Sequence, residues 1–144
     1  MLPTVQLTKF TDYAFRVLMY ADAANGELVT IDEITRAYGV SRAHLMKVVN
    51  ALTQAGFLTA VRGRSGGLRL ARPAKEISLG EIVRLTEPDF ALVECFKPDS
   101  PCVITPSCKL YRILDSSFQK FLTDLDSYSL ADISIDRSVF PVAG

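Results

Sequence analysis

Residues 30–70 read TIDEITRAYGVSRAHLMKVVNALTQAGFLTAVRGRSGGLRL, and the punctuation of this stretch decides the fold. Thr30 is placed to cap a helix over IDEITRAY, whose first turn carries Asp32 and Glu33 where the helix dipole favours acids. Gly39 stops that helix. Ser41 can cap the next one, RAHLMKVVNALTQAG, which sets Leu45, Val48, Val49 and Leu52 at i, i+3, i+4 and i+7 and ends at Gly56. Two short helices joined across a tight glycine turn are the signature of a helix-turn-helix. FLTAV and LRLA then flank RGRSGG, a glycine-rich tip that is loaded with guanidinium groups and cannot form a core. A helix-turn-helix followed by a basic two-stranded ribbon is a winged helix.

Working outward, residues 8–24 place Phe10, Tyr13, Ala14, Val17, Leu18 and Ala21 at helical spacing, with Thr8 as the cap. Downstream, SLGEIVRLTE offers a capping box at Ser78 and Glu81 over a short helix. From about Cys108 to Ser127 a long helix carries Leu110, Ile113, Leu114, Phe118, Phe121, Leu122 and Leu125 on one stripe. SLADI starts a last short helix at Ser129, and the tail after Asp136 reads as loosely ordered. The expected fold is mainly α with a small β-hairpin wing: a winged helix-turn-helix plus a long C-terminal dimerisation helix. Three regions follow: a DNA-binding domain at 1–75, a short helix and cysteine loop at 76–108, and the dimerisation helix with its tail at 109–144. The stripe predicts a homodimer, because operators read by such modules are two-fold symmetric; the alternative is packing on its own chain.

Composition narrows the class. With 144 residues, 49% hydrophobic and 22% charged, the chain has the balance of one soluble globular domain, which argues against disorder. No secretory signal pattern opens it and no run of about eighteen apolar residues interrupts it, so a cytoplasmic protein without a membrane segment is expected. Its zero net charge conceals an asymmetry. Residues 1–75 carry ten Lys and Arg against five Asp and Glu, and residues 76–144 carry six against eleven. No acid lies between Glu33 and Glu76, where Arg36, Arg42, Lys47, Arg62, Arg64, Arg69, Arg72 and Lys75 all fall. A basic half of this kind suits double-stranded DNA.

Within the second helix of the motif the apolar face leaves Arg42, Ala43, His44 and Lys47 outside, near the end that enters the major groove. Arg42 can read a guanine edge, His44 and Lys47 can contact bases or phosphate, and the Ser41 cap hydroxyl can bond phosphate. Arg62 and Arg64 in the wing suit the minor groove of A·T-rich DNA. An enzyme is not expected: the sole histidine lies in the recognition helix, and neither a phosphate-binding glycine loop nor an acid/base pair stands out.

All the cysteines, Cys95, Cys102 and Cys108, fall in one proline-studded segment with the spacing C-x6-C-x5-C. Pro98, Pro101 and Pro106 oppose regular helix there and favour a curled loop on which thiolates can converge. Soft thiolates select zinc, Cu(I) or an iron-sulfur cluster. Closed zinc sites use four protein ligands, often in C-x2-C pairs absent here, so an iron-sulfur cluster leads, with zinc or bare thiol redox chemistry as alternatives.

The order LTKFTDYAFRVLMY, YGVSRAHLMKVVNALTQAGFLTAVRGRSGGLRLA, CVITPSC and FLTDLDSYSLADI resembles a family of small bacterial winged-helix repressors that includes the iron-sulfur regulator IscR. CVITPSC together with SYSLADI points to the nitric-oxide-sensing branch of that family. The resemblance implies a homodimeric repressor that binds operator DNA when its cluster is loaded and releases it when nitric oxide attacks. It also implies Cys95, Cys102 and Cys108 as cluster thiolates, with Asp12 of the other subunit as the fourth ligand. IscR has a histidine ligand three residues after the last cysteine, where this chain has Tyr111, so an IscR-like ligand set is disfavoured. A 4Fe-4S cluster is favoured and 2Fe-2S is its alternative. Within the same family an iron or redox sensor is the competing function, and outside it a zinc or thiol switch.

Overall fold

The structure is a computed structural model and describes residues 6–88 and 109–140. α1 (Lys9–Ala23) starts at Thr8, whose hydroxyl oxygen accepts the Thr11 amide at 3.3 Å. This helix runs through the centre of the core, with Ala14, Val17, Leu18 and Ala21 buried. α2 (Ile31–Tyr38) is capped by Thr30, which accepts the Glu33 amide at 3.1 Å, and it ends at Gly39. That glycine is left-handed, with φ 66° and ψ 39°, a conformation that strains any other residue except asparagine or aspartate. α3 (Arg42–Gln54) opens one residue after the Ser41 cap, which accepts the His44 amide at 3.3 Å. Leu45, Val48, Val49 and Leu52 are buried, as their spacing requires. Burying a side chain of this size contributes about 1.5–3 kcal/mol, so the apolar face fixes how α3 sits on α1.

The wing is an antiparallel hairpin of β1 (Leu58–Val61) and β2 (Gly67–Leu70), with Leu58 opposite Leu70 and Val61 opposite Gly67. Its tip demands glycine: a Cβ at Gly66 would stand 2.1 Å from the Val61 carbonyl oxygen. Val29 and Leu68 exchange backbone hydrogen bonds of 2.9 and 2.6 Å. The extended piece before α2 therefore pins the wing to the helix-turn-helix.

α4 (Leu79–Thr86) returns to α1, burying Ile82 and Val83. The capping box expected at Ser78 and Glu81 does not form. Arg72 draws Glu81 into an ion pair at 3.1 Å, and the Ser78 hydroxyl instead reaches the Asp126 carbonyl at 3.5 Å. A charged donor outcompetes a backbone amide for that carboxylate. The reciprocal arrangement occurs at Ser129, whose amide donates to Asp132 at 2.7 Å and opens a 3-10 turn, Leu130–Ile133.

α5 (Lys109–Asp126) has two unlike parts. Its end, at Leu122 and Leu125, packs on the body, and Asp126 forms a two-pronged ion pair with Arg84 of α4. Leu110, Ile113 and Phe121 stay 57, 61 and 44% exposed. The expectation of a loose tail after Asp136 is corrected up to residue 140. Asp136 accepts the Ser138 amide at 2.8 Å, and the Phe140 ring lies 4.7 Å from that of Tyr20 and 5.5 Å from that of Tyr38. One aromatic ring meeting two distant ones leaves no periodic trace in the sequence. Ile77, Leu79, Ile82 and Leu130 belong to the same core as α1, α2 and α3.

Candidate DNA interface

The glycine turn brings the end of α2 to the start of α3, and α2 is short enough for the first residue of α3 to reach back to the first turn of α2. Arg42 stands at that junction. Its Nε donates to Asp32 Oδ1 at 2.7 Å and its Nη1 lies 3.0 Å from the Met46 sulfur. Both members of the Arg42–Asp32 pair are more than half exposed. Lys47 on α3, and Arg62 and Arg64 at the tip of the wing, are exposed without an ion pair among the described residues. Ser41 is exposed as well, its oxygen engaged by the His44 amide.

His44 departs from the outer surface expected for it. It is half-buried, with its ring 4.7 Å from Tyr13 and 6.2 Å from Phe10, both on α1. The helical wheel of α3 alone predicts exposure, and only the docking of α1 reveals the contact. Arg72, one of the basic run, is structural: its guanidinium lies 4.5 Å from the centre of the Phe57 ring while it pairs with Glu81. Sequence reasoning missed Asp32 as the partner of a candidate base reader. An acid in the first turn of α2 beside a basic recognition helix is the signal that could have found it.

Asp12 sits on the first turn of α1, next to Tyr13. Its carboxylate is about half exposed and is held in two-pronged fashion by Arg16, at 3.0 and 3.1 Å. The Arg16 guanidinium also lies 5.5 Å from the Tyr13 ring centre and 5.6 Å from that of Tyr38, and the Tyr38 hydroxyl donates to the Arg16 carbonyl at 2.8 Å. Burial pushes the Tyr38 phenol up to about 12 against the opposing pull of Arg16, and burial likewise raises that of Tyr20. Cys95, Cys102 and Cys108 lie outside the described residues. Among the described residues no three His, Cys, Asp or Glu side chains converge.

A second carboxylate ties α4 to α1. Glu87, the residue that ends α4, uses one oxygen, Oε2, to accept the Thr8 amide at 3.0 Å, the Thr8 hydroxyl at 2.8 Å and the Thr11 hydroxyl. Beneath it the Thr11 and Thr86 hydroxyl oxygens are 2.7 Å apart, and both residues are buried. Each hydroxyl has one hydrogen, so Thr8 and Thr11 donate to Glu87 while Thr86 donates to Thr11 or to the Ile82 carbonyl.

A helix-turn-helix with a basic wing, an exposed cationic face on its second helix and no competing acid in the wing defines a winged-helix DNA-binding protein. Residues 7–136 match the Rrf2 family of iron-dependent transcriptional regulators, and the chain belongs to that family. It is thus a DNA-binding transcriptional regulator. CymR of B. subtilis, described as its global cysteine regulator, is 22% identical, with a TM-score of 0.69 over 94% of this chain and 98% of that one. The IscR of T. potens is 26% identical, with a TM-score of 0.64 over 90% and 85%. Staphylococcus aureus CymR is 23% identical, with a TM-score of 0.66 over 85% and 93%. Among the described residues no helix is long and apolar enough to cross a membrane.

Proposed function

We propose that this regulator is a homodimeric repressor of the NsrR type, in which an iron-sulfur cluster senses nitric oxide and controls operator binding. The observation that carries the reading is the first turn of α1. It bears Asp12, an accessible carboxylate held by one guanidinium, directly beside Tyr13, which packs on His44 of the recognition helix. A ligand change at Asp12 would be felt by the adjoining Tyr13 and, through it, by His44 of the recognition helix.

Cys95, Cys102 and Cys108 would hold the cluster, with Asp12 of the partner subunit completing the set. Three soft thiolates and one hard carboxylate suit iron with one weakly held position. When bound, the cluster supplies iron that nitric oxide attacks. The chain's own residues do the rest. Arg16 holds the Asp12 carboxylate when it is free, so ligation and the Arg16 ion pair compete for the same oxygens. Ser41, Arg42, His44 and Lys47 serve the major groove, with His44 chiefly supporting the helix, and Arg62 and Arg64 serve the minor groove. In this reading residues 1–75 bind DNA, 76–108 hold the sensor and 109–144 pair the subunits through Leu110, Ile113 and Phe121. Pairing would set the two recognition helices roughly 34 Å apart, one turn of the duplex.

Iron and acid-labile sulfide, assayed per monomer after anaerobic purification, test the cofactor. Matching amounts are expected, and their loss in Cys102→Ala. Asp12→Ala should retain cluster but respond weakly to nitric oxide, and a fully responsive variant removes Asp12 from the ligand set. Iron sensing by the same site is the second reading, favoured by the family's description as iron-dependent.

A further inference from the structure

We propose that Glu87 is a positioning residue, a latch that fastens the end of α4 to the first turn of α1 and through that turn sets the recognition helix. This rests on the proposed reading only in what it transmits: residue 89, just beyond the latch, begins the segment holding Cys95, Cys102 and Cys108.

The first turn of α1 is gripped from two sides. On one side Thr8 and Thr11, three residues apart, donate to the single Glu87 oxygen, with the buried Thr86 hydroxyl beneath them. On the other, Phe10 and Tyr13, also three residues apart, hold the His44 ring. His44 in turn donates its amide to Ser41, the cap of the recognition helix. A displacement of Glu87 has no soft place to go. The hydroxyls it leaves are buried or half-buried and would exchange a charged acceptor for a neutral neighbouring hydroxyl, which favours moving the turn as a unit. Glu87 is also the C-terminal cap of α4, its amide donating to the Val83 carbonyl at 3.0 Å, so a pull on the following residues acts on the carboxylate and the helix end together. Strain arising beyond residue 88 therefore reaches α3 through two short steps. Neither step needs Asp12 to move.

Amide hydrogen exchange on the full chain tests the latch without reference to any metal. Glu87→Ala should speed exchange in the first turn of α1 and also at His44 and Leu45, while leaving the β1–β2 hairpin unchanged. Faster exchange confined to α1, or spread evenly over the molecule, overturns the proposal. Should Glu87→Ala fail to fold, Thr8→Val removes the Thr8 hydroxyl's contact from the other side and leaves the amide's, with the same expectation at His44 and Leu45. The sensing role is read separately, as the ratio of DNA affinities before and after nitric oxide, using a duplex selected by the wild-type protein from a random pool. A wild-type ratio on the order of 5–150 is expected. In Glu87→Ala it should fall to within about twofold of one at equal cluster content. A wild-type ratio of one with propagated exchange sinks the nitric oxide reading and leaves the latch; a normal ratio in Glu87→Ala sinks the latch.

Discussion

Arg42 and Asp32 meet at the surface where the fold presents its recognition helix, and their pairing is a competition. Asp32 holds the Nε edge of the guanidinium, and in the proposed interface it would put a negative charge where phosphates approach. An exposed pair of this kind is worth little, so DNA can displace it. Asp32→Ala should tighten binding to a random duplex by up to about fivefold, whereas Arg64→Ala should weaken it and flatten its salt dependence; a titration across salt concentrations checks both. Unchanged affinity and slope in Arg64→Ala would remove the wing from the interface. Tyr38 makes a separate prediction. Burial raises its folded-state value from 10.0 to about 12. The phenol is neutral in both states below the unfolded value, so its stabilisation is complete there and is lost as pH rises toward the folded value. Thermal unfolding of wild type should therefore fall steeply above about pH 10, and Tyr38→Phe should reduce that slope, leaving the part due to Tyr20. An unaltered slope would show that the phenol is not held neutral by the fold.

Among the elements, those with punctuation and period in the sequence stand where the sequence puts them. Thr8, Thr30, Ser41 and Gly39 act locally, and their geometry needs no distant partner. Ser78 failed as a capping box because its partner Glu81 is taken by Arg72, nine positions away. The ordered tail escaped for a similar reason, since Phe140 is fixed by Tyr20 and Tyr38 across the fold. α5 shows both cases. Its stripe was legible, but only the fold divides it into Leu122 and Leu125, which pack on the body, and Leu110, Ile113 and Phe121, which do not. Ile113→Glu should leave the fold intact and yield a monomer by sedimentation, since a charge in the middle of an apolar pairing face goes unpaired. A dimer of unchanged stability would assign that stripe another role.

For the whole molecule, the zero net charge hides a basic reading half and an acidic half that carries the thiols. The basic half was legible because helix, turn and hairpin signals are local. The candidate link between the halves was not, because Glu87 with Thr8 and Thr11, and Tyr13 with His44, are pairs far apart in sequence that carry no spacing rule. In the proposed function the thiol-bearing segment governs DNA binding, and anisotropy of a labelled operator duplex reads that control. Cluster-loaded protein should release the duplex during stepwise addition of nitric oxide, its affinity falling by about 5–150-fold. Loss of the cluster's absorbance with affinity unchanged would contradict the account.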